Sequence, residues 1–384
     1  MKKVPHSMLT RRYLLRSLAA AALLPRTLWA SPASYKLFIG TGTGKGSNSK
    51  GIYVADWNLD GTVGSMALAA EMQSPTFLAI GKHSRHLYAT SEIAEGQVIA
   101  FTIAPNTGRL TRLNAQSTQG NGPAHIAVSP NGRAAFATNY GSGSLTSYAI
   151  EPSGELSAPV SHFQYAPIDA QPEHQQPHAH EATSSHDSRW LLVNDLGSDR
   201  IYIYRSDPHT GALAPGSQPF WQGRFKSGPR HLAFHPNGRW VYNVNELDST
   251  VDHILWDNHH GTLTTHGAFI STLPVDYPAG HSTVSEVLAS PDGKFLYVGN
   301  RGNETIAVFN IHPHTGGVTL AQLAPHGGKT ARHIALDPTG AFLLVACQDS
   351  GSIVVLPRNI ATGRLSSPLR TYPIDNPQCL VFTS

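Results

Sequence analysis

One hairpin-like stretch recurs along this chain, and its recurrence leaves few folds open. It is clearest over residues 228–250, GPRHLAFHPNGRWVYNVNELDST. Apolar-rich runs at 230–234 and 239–244 flank Pro236-Asn237-Gly238. An Asn-Gly between two such runs is a strong signal for a β-hairpin. Folding the stretch about Gly238 sets Arg230 opposite Glu246, each eight residues from the turn, at the far end of the hairpin. The pattern returns at 74–92, 122–140, 177–195, 283–301 and 330–348. The aligned first-strand positions are Phe77, His125, His180, His231, Glu286 and His333, spaced by 48, 55, 51, 55 and 47 residues. A half-copy over 376–384 places Cys379 another 46 residues on and supplies a first strand without a second.

Each hairpin leads to a third apolar run, at 97–103, 144–150, 200–204, 250–255, 305–311 and 352–356. A turn follows, carrying Thr107-Gly108, Ser153-Gly154, Thr210-Gly211, His260-Gly261, Thr315-Gly316 or Thr362-Gly363. A fourth, less regular strand closes each unit. Four antiparallel strands at a period near fifty residues describe a propeller blade. Seven first strands count seven blades. Residues 35–41 and 51–57 resemble second and third strands that lack a first, and the carboxy-terminal run 379–383 can supply it. Closure of this kind removes an open sheet edge. The expected fold is therefore all-β: a seven-bladed β-propeller of four-stranded antiparallel blades, its ring closed by pairing the C-terminal strand with the N-terminal strands. A pair of β-sandwich domains is the alternative, and uniform spacing with complementary ends argues against it. The low charge content (14%), with 35 Gly and 27 Pro in 384 residues, suits a turn-rich all-β protein.

The first 33 residues are read separately from the propeller, expected over 34–384. Thr10-Arg11-Arg12-Tyr13-Leu14-Leu15 carries the paired arginines of a twin-arginine signal peptide, and the apolar run 17–24 is broken by Pro25 and Arg26. It is too short to span a membrane. An ordinary secretory signal is the other reading, with cleavage after Ala30 or Ala33. Both predict a periplasmic or secreted protein, and the first adds the twin-arginine export machinery as a partner. Six basic residues and no acid fall in this leader, so the formal +3 of the chain becomes −3 in the body. That balance points to no nucleic-acid partner, and no other apolar stretch predicts stable membrane insertion. Two cysteines, Cys347 and Cys379, make no disulfide framework and are expected as separate buried thiols.

In a propeller the starts of first strands and the ends of second strands gather at one rim of the central channel. Here the third hairpin places His178, His180 and Asp195 on that rim, and the fourth places Arg230, His231 and Glu246. The fifth contributes Glu286 and Arg301, and the sixth Arg332 and His333, with Lys329 just before. Glu246 and Arg301 share a register with Tyr140 and Gln348. Charge is scarce in this chain yet concentrates here; the bland alternative is a set of ion pairs tying blades together. Strand alternation predicts His178 and His180 on one side and Glu181 on the other, which with His174 leaves no metal-ligand pattern. His125, His231 and His333 repeat in one register, as expected of side chains that bond a neighbouring blade's backbone. The arginines and Lys329 suit an anionic ligand. Glu246 suits a general base on water, His180 a proton carrier, and an arginine an oxyanion partner. These parts fit hydrolysis of an activated cyclic ester, and no G-x-S-x-G nucleophile motif occurs.

The stretches 49–53 (SKGIY), 177–180 (PHAH), 228–231 (GPRH), 244–249 (VNELDS), 299–302 (GNRG) and 328–332 (GKTAR) together resemble the seven-bladed propeller lactonases of the bacterial 6-phosphogluconolactonase type, related to fungal carboxymuconate-lactonising enzymes. The resemblance runs from Tyr35 to the end. It implies a rim site without metal or cofactor and a small anionic sugar lactone as substrate. His180, Arg230, Glu246 and Arg301 match the family's catalytic positions. His178, Asp195, Glu286, Lys329 and Arg332 are expected to bind substrate. Cys347 stands where the family usually has Asn. The expected reaction is hydrolysis of 6-phosphogluconolactone or a related aldonolactone to the open-chain acid, a non-phosphorylated aldonolactone being the option that export raises. The other readings are a non-catalytic exported propeller serving as a binding or scaffold platform, and a muconate-type lactonising cycloisomerase.

Overall fold

The structure, a computed structural model, describes residues 34–168 and 176–383; the leader expected over 1–33, and His174, lie outside the described residues. The described chain forms seven antiparallel sheets, six of four strands and one of five. Six of the sheets are built from consecutive strands, beginning with Leu78–Ile80, Pro123–Val128, Ala179–Ser184, Pro229–Phe234, Thr283–Ala289 and Ala331–Leu336. In the seventh, the last strand, Pro377–Phe382, pairs with Ser34–Thr41, which pairs in turn with Gly51–Asn58. The first strands of successive sheets touch one another, so they form the inner wall of a closed ring. This is the expected propeller with the expected closure. The fifth strand, Ile270–Ser271, is a short addition to the sheet begun by Pro229–Phe234.

The second strands are almost entirely buried because neighbouring blades cover both their faces. Trp240–Asn245 and Trp190–Asp195 are buried at every position. The core is thus a set of layers between blades: Trp240, Tyr242 and Val244 of one blade pack with Leu296, Val298 and Phe309 of the next. The Thr-Gly and His-Gly turns lock those layers. Gly261 and Gly316 sit at φ +69° and +75°, where a side chain would be strained. A Cβ at Gly316 would fall 2.4 Å from the Trp240 ring, and one at Gly261 2.2 Å from the Trp190 ring. The carbonyl of Gly316 also accepts the Tyr242 hydroxyl at 2.8 Å. Both turns therefore clasp the second strand of the preceding blade.

The inner strands are not regular. In six blades a bulge interrupts the pairing of first and second strands, for instance between Pro229 and His231 and between Ala331 and His333. The residue left over turns toward the mouth of the channel, and bulges of this kind commonly re-aim a side chain beside a site. The bulge corrects one expectation. In the third hairpin Ala179 pairs with Asp195 and Glu181 with Asn194, as Pro229 pairs with Asn245 and His231 with Val244. Glu181, not His180, is therefore the counterpart of His231, and Leu196, not Asp195, that of Glu246. Simple alternation fails across the bulge, so Glu181 faces the channel.

Candidate active site

Side chains stack in layers along the channel. The innermost comes from the residue after each bulge: His125, Glu181, His231, Glu286, His333 and Cys379, with Phe77 from the blade begun by Leu78–Ile80. Their rings meet across the axis, Phe77 lying 4.1 Å from His125, 5.6 Å from His333 and 6.1 Å from His231. Several reach the next blade's backbone, as the repeated histidine register suggests. Ala182 N donates to His125 Nδ1 at 3.5 Å, Leu232 N to Glu181 Oε2 at 2.6 Å, and Leu380 N to His333 Nδ1 at 3.4 Å. His231 instead faces Glu286, its Nδ1 3.0 and 3.1 Å from the two carboxylate oxygens.

Above this floor lie the bulge residues, among them His180, Arg230 and Arg332. Arg230 is only 2% exposed. Its Nε donates to Glu246 Oε2 at 2.8 Å, and its Nη1 to the Ser285 carbonyl. Arg301 brings Nη2 to 3.0 Å from the same Glu246 oxygen and donates from it to the Val284 carbonyl at 2.7 Å. Glu246 Oε1 accepts no hydrogen bond from a described residue, and Arg301 Nε is buried without a partner among them. A buried donor left open beside a charged cluster marks a place for a ligand's oxygen. Arg332 is half-buried at the mouth and makes no hydrogen bond or ion pair with a described residue. Tyr140 completes the wall; its ring stacks on His178 at 4.4 Å and meets His180 edge-on at 5.6 Å.

Electrostatics separates the roles. Burial alone would raise Glu246, but the guanidinium groups of Arg230, Arg301 and Arg332 outweigh it and hold the carboxyl below its ordinary range. Burial, with Arg332 and Arg301 nearby, pushes Arg230 down to about 9, so it keeps its charge at neutral pH. His180 is held well below the usual imidazole value by burial and by Arg230. Its Nδ1 lies 3.1 Å from His231 Nε2. A neutral imidazole and an ionised carboxylate thus share the mouth with three guanidinium groups.

Of the residues singled out in the sequence, the structure brings together His180, Arg230, Glu246, Arg301 and Arg332. Glu286 lies beneath them in the floor. His178 buttresses the wall, its Nδ1 donating to the Tyr140 carbonyl at 2.9 Å. Asp195 is turned away and fully buried in its own blade. It accepts the His178 amide at 2.6 Å and the Ser198 hydroxyl at 2.8 Å. That is the work of a turn clamp, so Asp195 has no surface for a ligand. Lys329 is exposed on the segment before its strand. Cys347 pairs with Ala331 as Asn245 pairs with Pro229; its thiol meets His326 Nδ1 at 3.4 Å, away from the channel. Sequence reading passed over Glu92 and gave Tyr140 no role. Glu92 follows its second strand, His86–Ser91, as Glu246 follows Trp240–Asn245, and its charge acts on Arg332; that shared register was the available signal. Among the described residues, no group of three or more His, Cys, Asp or Glu is arranged to hold a metal ion.

A seven-bladed ring with an acid, three guanidinium groups and a neutral imidazole at one mouth defines a propeller of the enzymatic kind. Residues 36–382 match the family described as Lactonase, 7-bladed beta-propeller, and the chain belongs to that family. It is similar to a 6-phosphogluconolactonase of Bacillus subtilis, 31% identical over 349 residues, with 90% of this chain and 97% of the relative covered. A 6-phosphogluconolactonase of Formosa agariphila is 31% identical over 340 residues, covering 86% and 94%. Among solved structures, a periplasmic gluconolactonase of Pseudomonas aeruginosa superposes with a TM-score of 0.85 at 27% identity, covering 91% of this chain and 99% of that one.

Proposed function

We propose that the channel mouth hydrolyses a sugar-derived lactone to its open-chain acid, and that the preferred substrate is a non-phosphorylated aldonolactone. The observation that carries the reading is the clamped carboxylate: Glu246 is held through Oε2 by Arg230 and Arg301 while Oε1 stays open. Oε1 holds and polarises the attacking water. His180 carries the proton from that water to the leaving ring oxygen. Arg301, through its unpartnered Nε, and Arg332 face the carbonyl oxygen as it gains charge. Arg230 fixes Glu246 and does not need to touch substrate. The names of the relatives support lactone opening. The twin-arginine-type leader and the likeness to a periplasmic gluconolactonase support an exported enzyme, which meets non-phosphorylated sugar lactones.

The test is acid release at neutral pH from gluconolactone and from 6-phosphogluconolactone, each measured against its spontaneous opening. Faster turnover of gluconolactone supports the whole reading. Preference for the phosphorylated lactone keeps the reaction and overturns the substrate. Spontaneous rates for both overturn the reaction.

A further inference from the structure

A line of polar groups runs from the floor up to His180, and the reaction above uses only its last member. Glu286, His231 and His180 come from three adjacent blades. His231 Nδ1 lies 3.0 Å from Glu286 Oε1, and His231 Nε2 lies 3.1 Å from His180 Nδ1. All three side chains are buried, His231 to 1% exposure and Glu286 to 6%. Such a row costs desolvation at every member and persists only where its polar groups satisfy one another.

We propose that Glu286 and His231 are positioning residues that fix the tautomer of His180, leaving its Nε2 as a lone-pair acceptor aimed at the channel mouth. This rests on the lactone-opening reading for its catalytic consequence, but the tautomer follows from geometry. Three N–H groups converge on Glu286: His231 Nδ1, the Val287 amide at 3.0 Å, and His333 Nε2 at 3.5 Å. His333 must carry its proton on Nε2, because its Nδ1 already accepts the Leu380 amide. With Glu286 accepting, His231 carries its proton on Nδ1. A neutral imidazole has one N–H, so His231 Nε2 is a lone pair and His180 Nδ1 must donate to it. His180 Nε2 is then the acceptor, and no described residue bonds to it.

The surroundings favour this polarity. Arg230, Arg301 and Arg332 act on His180 and His231 from above and disfavour a second proton on either ring. Glu181 stands 3.9 Å from His231 Nδ1 and 4.0 Å from His125 Nε2. Burial, with Glu286 as neighbour, pushes Glu181 well above the carboxylate range. His125 lies 5.6 Å from His231, ring to ring, and is held neutral by burial. Tyr140 closes the side facing His180.

In the reaction, His180 Nε2 takes a proton from water as the water oxygen bonds to the lactone carbonyl carbon, and the C=O π pair moves onto oxygen. Collapse restores the C=O and breaks the ring C–O bond, and Nε2 returns the proton to the leaving oxygen. The product is the hydroxy acid, with no net change in His180, His231 or Glu286.

The test is ¹⁵N-histidine NMR on the full chain at pH 7.5, with His180→Gln used to assign the ring, alongside lactone kinetics. The wild type should show His180 protonated at Nδ1 and bare at Nε2. In Glu286→Gln the amide N–H₂ can donate to His231 Nδ1 and reverse the row, so His180 should switch to Nε2–H. With that switch kcat should fall by about 10²-fold while KM stays within about twofold, and Glu286→Asp should restore part of it. A wild-type His180 protonated at Nε2, or a tautomer unmoved by Glu286→Gln, overturns the proposal whatever the kinetics. Predicted tautomers in a protein that opens no lactone would leave the row standing and overturn the hydrolytic reading alone.

Discussion

Arg230 and Glu246 are sixteen residues apart in the chain and 2.8 Å apart at the channel mouth. The hairpin between them sets that distance, and the bulge at Arg230 turns the guanidinium out of the strand toward the carboxylate. A charge as buried as Arg230 is tolerated because two oxygens, of Glu246 and Ser285, receive it.

Arg230→Met removes that charge and leaves the Ser285 carbonyl without its donor. Taking one partner from a buried pair costs about 3–5 kcal/mol. The value should sit near the lower end, because Arg301 still meets Glu246. Chemical denaturation should show the loss, and kcat should drop as Glu246 loses its fixed orientation. A variant as stable and active as the parent would contradict the role given to Arg230.

Gly316→Ala tests the clasp between blades. It combines a strained φ with an overlap against Trp240, a residue held on all sides. The two together should cost about 2–4 kcal/mol. Thermal unfolding should show a lower midpoint, with rim chemistry preserved in the folded fraction. An unchanged midpoint would mean that the turn does not lock the ring.

Acid should weaken the fold before it protonates most carboxylates. Burial holds His125, His180 and His231 well below the ordinary imidazole value and lowers His333 to about 4. In the unfolded chain these groups titrate near 6.5, so below that pH the unfolded state binds protons that the native state refuses. Their contribution is complete above pH 6.5 and shrinks as pH falls, by about 1.4 kcal/mol per pH unit for each. Glu181 works in the opposite sense, since the native state keeps a proton that the unfolded chain releases above about pH 4.5. Glu246, held low by its arginines, adds a further loss only below about pH 4.5. Four imidazoles outweigh one carboxyl, so the melting temperature should fall steadily from pH 7 to pH 5. A flat or rising profile would contradict the neutral floor.

Arg332→Ala separates binding from structure. Without an ion pair to lose, the variant should keep its melting temperature within a degree or two. Its kcat/KM on lactones should fall by about tenfold, the scale of one charge-assisted contact. A large drop in stability with unchanged kinetics would assign Arg332 to the scaffold.

Much of this was legible in the residues because it is local. The Asn-Gly and Thr-Gly turns, the fifty-residue period and the unpaired strand at each end specify blades, count and closure without tertiary information. Counting to the turn put Arg230 and Glu246 at the same end of the hairpin but one step out of register: Glu246 lies beside Gly228, and Arg230 is the bulge residue whose side chain reaches the carboxylate. The third hairpin was misplaced by one residue because His180 resembles His231 in sequence, and a bulge reverses which side a residue faces. Matching Trp190 to Trp240 would have set the register and removed Asp195 from the rim. The floor was legible as a shared register but not as a set of contacts. Phe77, His125, His231 and His333 meet only because four blades point at one axis, and no spacing along the chain records that distance. Both thiols, Cys347 and Cys379, are free and buried, as their separate registers suggested.

The most direct test of the rim as a hydrolytic site is the initial rate of acid release from gluconolactone by the parent, Glu246→Gln and Arg301→Ala proteins, each corrected for spontaneous opening. Glu246→Gln keeps the shape of the side chain and removes its charge. It should lower kcat by about 10²–10³-fold with little change in KM, and Arg301→Ala should lower kcat/KM by about 10²-fold. Both variants turning over at the parent rate would contradict the assignment of lactone opening to this mouth.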